Sequence, residues 1–231
     1  MMKKNFSIAI DGPSGAGKST IAKTLAKELN IMYLDTGALF RALAYQALEW
    51  DINPQDEKAV SEFLQNADLD IKFINQEQRV LINEEDVTDY IRSEAVSIAA
   101  SDISVHPIIR NYILIKEREL AAKESFILDG RDIGTVVLPD AEVKIFLSAS
   151  PEIRAKRRLI DLQKKSKESV EYDQVLADII KRDKQDSSRE TAPTKKADDA
   201  IYIDSGELTL EETVNKVKEI IIKKLILDKD K

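Results

Sequence analysis

The sequence predicts an α/β protein, a three-layer sandwich around a five-stranded parallel sheet, interrupted by a small antiparallel β insertion. Three observations predict it. Five short apolar runs, Phe6–Ile10, Ile31–Leu34, Phe126–Leu128, Val143–Leu147 and Ala200–Ile203, have the length of buried strands. Helix-period segments separate most of them, the alternation that leaves strands parallel and covered on both faces. The first run ends at Asp11, directly before Gly12-Pro-Ser-Gly-Ala-Gly-Lys-Ser19, which fits the phosphate-binding pattern G-x-x-x-x-G-K-[ST] and opens a helical segment.

The elements follow in order. After the first strand, a helix is predicted over Thr20–Leu29, with Ile21, Ala22, Leu25, Ala26 and Leu29 on one face. Further helical patterns cover Leu39–Trp50, Ile108–Ala122, Pro151–Leu162 and Leu210–Leu227. Two stretches break the alternation. Leu69–Phe73 and Arg79–Ile82 read as short strands around Asn75-Gln-Glu-Gln78, with Val87-Thr88 as a third, which makes a small antiparallel insertion. Lys164–Ser169 is polar and lies between the basic helix and a helix near Tyr172–Lys184. Charged insertions on a rigid nucleotide-binding sheet suit closing elements.

Composition narrows the class. At 231 residues the chain can build one sizeable core with insertions, and 43% hydrophobic with 33% charged residues is ordinary for a soluble protein. No apolar run approaches the roughly 20 residues of a membrane span. The opening Met-Met-Lys-Lys-Asn leads straight into an apolar run too short for a secretory signal, so a cytoplasmic protein is expected. Zero cysteines exclude disulfides and thiolate metal sites, and a single histidine, His106, excludes His-cluster zinc chemistry. His106 precedes Pro107 at an apparent helix break and reads as an ordinary turn residue. A net charge of −7 argues against a nucleic-acid partner. From Arg154 to Lys167, however, seven basic residues face one acid, a local cationic segment that suits a small polyanion. With no long heptad, a monomer is expected.

The glycine pattern carries the first chemistry. Gly12, Gly15 and Gly17 let successive N–H groups of the loop Gly12, Pro13, Ser14, Gly15, Ala16, Gly17, Lys18, Ser19 and Thr20 turn toward phosphate oxygens, and the helix N-terminus adds positive potential. Lys18 has the reach for the β- and γ-phosphates of a bound nucleotide, and the Ser19 hydroxyl for Mg²⁺. Asp129 ends the third strand as a second magnesium candidate. Asp204 looks similar but heads a plain Ser-Gly turn. Arginines then recur where strand ends gather ligands: Arg41, Arg131, Arg154 and Arg158 four apart on one helix, and Arg182 and Arg189. A protein that only grips a triphosphate needs fewer guanidinium groups. A phosphoryl-transfer enzyme must neutralise two anionic substrates and the charge of the group in flight.

Four segments, Gly-Pro-Ser-Gly-Ala-Gly-Lys-Ser, Tyr-Leu-Asp-Thr-Gly-Ala-Leu-Phe-Arg, Leu-Asp-Gly-Arg-Asp-Ile-Gly-Thr-Val-Val and Arg-Asp-x-x-Asp-x-x-Arg, resemble the bacterial cytidylate kinases in order over nearly the whole chain. The resemblance implies a P-loop nucleoside monophosphate kinase that moves the γ-phosphate of ATP to CMP or dCMP with Mg²⁺. It also implies a core over 1–67 and 91–231, a monophosphate-binding insertion over 68–90, and a helical lid over 154–186. It implies that Arg41, Arg131 and Arg189 grip the acceptor phosphate. Ser101, Arg110 and Asp132 would read the cytosine edge, Arg182 and Asp186 would contact the sugar, and Thr36 stands where the family also uses serine. Other members have Lys-Gly where this loop ends Lys18-Ser19. Lys18, Arg131, Arg154 and Arg158 would then stabilise the transition state, with no covalent nucleophile required. A regulatory GTPase would carry D-x-x-G and N-K-x-D, and neither occurs. A P-loop kinase for another small acceptor shares the core and differs only in the acceptor pocket.

Overall fold

The strand registers bring the carboxyl ends of four strands, at Asp11, Gly130, Ser148 and Asp204, to one rim of the parallel sheet. In the computed structural model, which describes residues 5–165 and 171–227, the strands are β1 (Ser7–Asp11), β2 (Met32–Asp35), β3 (Leu69–Ile74), β4 (Glu77–Ile82), β5 (Glu85–Asp86), β6 (Phe126–Gly130), β7 (Val143–Ser148) and β8 (Ile201–Asp204). The helices are α1 (Lys18–Leu29), α2 (Thr36–Glu49), α3 (Glu57–Leu64), α4 (Glu94–Ile103), α5 (Pro107–Ala121), α6 (Pro151–Lys165), α7 (Tyr172–Ser188) and α8 (Leu210–Leu227). Five strands form a parallel sheet in the order β2-β6-β1-β7-β8, and β3-β4-β5 form a second, antiparallel sheet. No described helix is long and apolar enough to cross a membrane. Chain contacts define two units, residues 1–31 with 125–231, and residues 32–124.

The first unit is built on β1. Ile8, Ala9 and Ile10 are fully buried, as are Ile127 and Leu128 on one neighbour and Val143, Ile145 and Leu147 on the other, so helices must cover both faces. Register pairs Asp11 with Gly130 and with Phe146, Ile10 with Asp129, and Ser148 with Asp204, which brings the carboxyl ends of four strands level. α1 buries Ile21, Ala22, Leu25 and Ala26 as predicted, leaves Leu29 half-buried, and ends at Asn30 in the left-handed region (φ 52°), a conformation asparagine tolerates. α6 and α7 pack on a small core of their own, Ala155, Val175 and Ile179 with Leu159 and Leu162. Of the polar stretch Lys164–Ser169, residues 166–169 lie outside the described residues, as does the N-terminal Met-Met-Lys-Lys. A π-helical turn over Ile133–Val137 follows β6 and was not foreseen.

The second unit packs α2, α4 and α5 around Leu39, Leu43, Ile103, Ile109 and Ile113, joined by Leu69 and Ile82 of the antiparallel sheet. Asp35 caps α2 by accepting from the Ala38 N–H at 3.0 Å, and Ser93 caps α4 likewise. α3 and α4 are absent from the sequence reading. The helix break at His106 is real, with Pro107 as first residue of α5. His106 is more than a turn residue: it is buried, and its Nε2 lies 2.8 Å from the Pro54 carbonyl. The third strand of the insertion is Glu85–Asp86, two residues earlier than predicted. Beyond it the Thr88 hydroxyl accepts from the Val80 N–H at 2.8 Å, so a side chain takes the place of the ladder's backbone acceptor.

Candidate active site

The loop after β1 is closed against the sheet. At Gly12 (φ 144°) a Cβ would lie 1.9 Å from the Leu147 carbonyl oxygen, so no other residue fits. Lys18 is buried and donates from Nζ to the Pro13 carbonyl at 2.9 Å. Burial, and then the neighbouring Arg131, push its amine down to about 7, only partly countered by Asp129 and Asp11. Such a lysine sits in surroundings that favour an arriving anion. Asp11, which the sequence reading passed over, accepts from the Ile133 and Gly134 N–H groups, each at 2.7 Å, and so ties β1 to the π-helical turn. Burial pushes its carboxyl up to about 6 against the opposing pull of those two bonds. An acid ending a buried strand ahead of the loop was its one visible signal.

The two magnesium candidates meet. Ser19 Oγ donates to Asp129 Oδ2 at 2.9 Å, and Asp129 is buried. Both donors are hard oxygens, and Mg²⁺ commonly takes one or two such protein ligands, completing its shell with phosphate oxygens and water. Among the described residues no cluster of three or more His, Cys, Asp or Glu could hold a metal. The pair therefore fits an ion that shares its ligands with a bound nucleotide.

Around the same rim, the ends of β6 and α7 build a cationic group. Arg131 donates from Nε to Asp186 Oδ2 at 2.9 Å, and Arg189 lies 3.4 Å from the other oxygen of Asp186. Burial alone would raise the Asp186 carboxyl, but Arg131 and Arg189, with a smaller pull from Arg182, hold it below the usual carboxylate range. Arg131 and Arg182 also act electrostatically on Lys18. The structure thus gathers Lys18, Arg131, Arg182, Asp186 and Arg189. Asp132 follows Arg131, half-buried, and its carbonyl accepts from the Val136 and Val137 N–H groups. Asp204 closes its turn by accepting from the Gly206 N–H at 2.8 Å, as a plain turn would.

Arg154 and Arg158 separate. Arg158 is exposed. Arg154 is 2% exposed and turned toward the protein itself: Nε donates to the Ala149 carbonyl, Nη1 to the Ser14 carbonyl at 2.9 Å and to Asp183, and Nη2 to Asp183 at 2.5 Å. Arg157, between them, donates to the Ser205 carbonyl and hydroxyl. The sequence reading gave no role of its own to Asp183, a fixed position of the Arg-Asp-x-x-Asp-x-x-Arg segment, or to Arg157, one of the seven basic residues.

In the second unit, Thr36 begins α2 and is buried. Arg41, one turn on, donates from Nη2 to Asp35 Oδ2 at 2.8 Å, while its buried Nε has no hydrogen-bond partner among the described residues. Gln78 of β4 locks Asp35 in place, accepting from its N–H at 2.7 Å and donating to its carbonyl at 3.2 Å. Arg110 of α5 is buried, lies 5.5 Å over the Phe40 ring and donates to the Ser104 carbonyl. Ser101 is half-buried on α4. The insertion therefore supports the Asp35–Arg41 pair through one glutamine, a link no spacing rule reveals.

A family model described as cytidylate kinase matches residues 8–223. A cytidylate kinase of Caldicellulosiruptor bescii is 48% identical over 220 residues, covering 95% of this chain and 97% of that protein. A cytidylate kinase of a Geobacillus species (strain WCH70) is likewise 48% identical, covering 95% and 98%. Among solved structures, shikimate kinase from Bacteroides thetaiotaomicron is 17% identical with a TM-score of 0.46, covering 94% of this chain and 98% of that one.

Proposed function

This chain belongs to the cytidylate kinase family, and from that membership we propose how its residues share the transfer of a phosphoryl group. The reaction moves the γ-phosphate of ATP to CMP or dCMP and yields ADP with CDP or dCDP. The observation that carries our reading is the convergence of Lys18 and the Ser19–Asp129 pair with Arg131, Arg182, Asp186 and Arg189 in one unit.

ATP lies on the loop, its β- and γ-phosphates against the loop N–H groups and Lys18. Ser19 and Asp129 would hold Mg²⁺, which neutralises phosphate charge when bound. Arg131 and Arg189, with Arg41, take the acceptor phosphate. Arg182 and Asp186 take its sugar, Ser101, Arg110 and Asp132 take the cytosine end, and Thr36 offers its hydroxyl to CMP. An oxygen of the CMP phosphate attacks the γ-phosphorus, the bond from that phosphorus to the β,γ-bridging oxygen breaks, and the electron pair leaves with ADP. That acceptor oxygen is already anionic near pH 7, so no side chain need remove a proton. Lys18, Arg131 and the exposed Arg158 offset the charge in transit. With a net charge of −7 and no cysteine, we take the protein to work as a cytoplasmic monomer without nucleic-acid or membrane partners.

One coupled assay of ADP formation tests the reading, run with CMP, dCMP, UMP, AMP and no acceptor. Strong ADP formation with CMP and dCMP, and little without acceptor, supports it. A preference for AMP, or equal rates with no acceptor, refutes it.

A further inference from the structure

The Arg-Asp-x-x-Asp-x-x-Arg segment contains an acid, Asp183, to which the reaction as described gives no task. Its side chain takes both terminal nitrogens of Arg154, at 3.0 and 2.5 Å. Arg154 in turn holds the Ser14 carbonyl at 2.9 Å and the Ala149 carbonyl at the end of β7. Its stem also packs against the loop, since a Cβ at Gly15 (φ 76°) would lie 3.3 Å from the Arg154 Cβ. A loop whose N–H groups converge on an anion turns carbonyls outward, and those need donors. Lys18 supplies one for Pro13 and Arg154 one for Ser14.

We propose that Asp183 is a positioning residue for the nucleotide donor, acting through Arg154 to fix the Ser14 carbonyl and with it the shape of the phosphate loop. The physical need is plain. A guanidinium as buried as that of Arg154 requires an opposite charge, and Asp183 is the carboxylate bonded to it. Without that charge the guanidinium turns toward water and releases the loop. Asp183 touches no substrate in this scheme. It lies on α7 beside Arg182 and one turn before Asp186, so the helix that carries acceptor groups also braces the donor loop.

The inference rests on the reading that this loop binds the donor, and its test needs no acceptor. Titration calorimetry of ADP alone is compared for the wild type, Asp183→Asn, which keeps shape but loses charge, and Asp183→Glu, which keeps charge at longer reach. ADP binding and kcat/KM for ATP are expected to fall about tenfold or more in Asp183→Asn, the scale of a loop displaced by a fraction of an ångström. Asp183→Glu recovers part of the loss, and KM for CMP stays within about twofold of wild type. In an Arg154→Lys background, Asp183→Asn adds nothing further, because the two residues act as one unit. Equal losses toward ATP and CMP, unchanged ADP binding, or additive losses in the double variant would overturn the proposal. A failed CMP assignment would leave the ADP titration intact, so the two failures are distinguishable.

Discussion

Binding of ADP should draw a proton onto Lys18, and the amount is set by its surroundings. In the nucleotide-free protein, burial and Arg131 hold the amine at about 7. A polyphosphate on the loop supplies the opposing charge and returns the amine toward the ordinary lysine range. At pH 8 the free protein carries this proton in about a tenth of molecules and the complex in nearly all. Uptake at pH 8 is then about 0.9 proton per ADP. ADP itself is fully ionised at pH 8 and contributes little. Calorimetric titration at pH 8 in two buffers of different ionisation enthalpy counts the proton directly, and Lys18→Met should abolish the uptake. Heats that do not depend on the buffer, or proton release, would refute the reasoning. The same depression sets the sign for stability. Between pH 7 and the unfolded value of 10.5 the folded protein binds fewer protons, so this group's contribution rises with pH across that window and is least favourable below pH 7.

Three further outcomes are expected. Lys18→Ala or Arg131→Ala lowers turnover roughly 10²-fold or more in the coupled assay, and near-normal turnover would remove that residue from the mechanism. Asp11→Asn leaves one of two backbone N–H groups facing an amide NH₂ and costs about 1–3 kcal/mol by urea denaturation. Because the folded Asp11 pKa is raised from 3.8 to about 6, its contribution to wild-type stability falls as pH climbs through that interval, and this slope should vanish in the variant. Gln78→Ala releases Asp35 and raises KM for CMP severalfold through Arg41, with KM for ATP unchanged. An unaltered KM for CMP would show that Arg41 needs no such support.

The strands were legible because β1, β6 and β7 are buried on both faces, and continuous apolar runs such as Phe126-Ile-Leu128 leave few alternatives. The phosphate loop was legible because only glycine fits at Gly12, where β7 presses on its backbone. α3 and α4 escaped for a different reason. α3 has only eight residues, and α4 presents small residues, Ala99 and Ala100 beside Val96 and Ile103, with no strong apolar stripe. Spacing placed Arg154 and Arg158 on one helix face, but that face straddles a boundary, with one guanidinium buried and the other exposed. Asp183, Asp11 and Gln78 stayed hidden because their partners are backbone atoms or residues far along the chain. Sequence spacing gives residue type and order. It does not say which lone pair meets which N–H.

Direct attack of the CMP phosphate on ATP has a stereochemical signature. With ATP made chiral at its γ-phosphorus as the thiophosphate, a single in-line displacement inverts the configuration at phosphorus in the CDP product. Inversion is the predicted result. Retention would require two successive displacements through a phosphorylated side chain and would contradict the account.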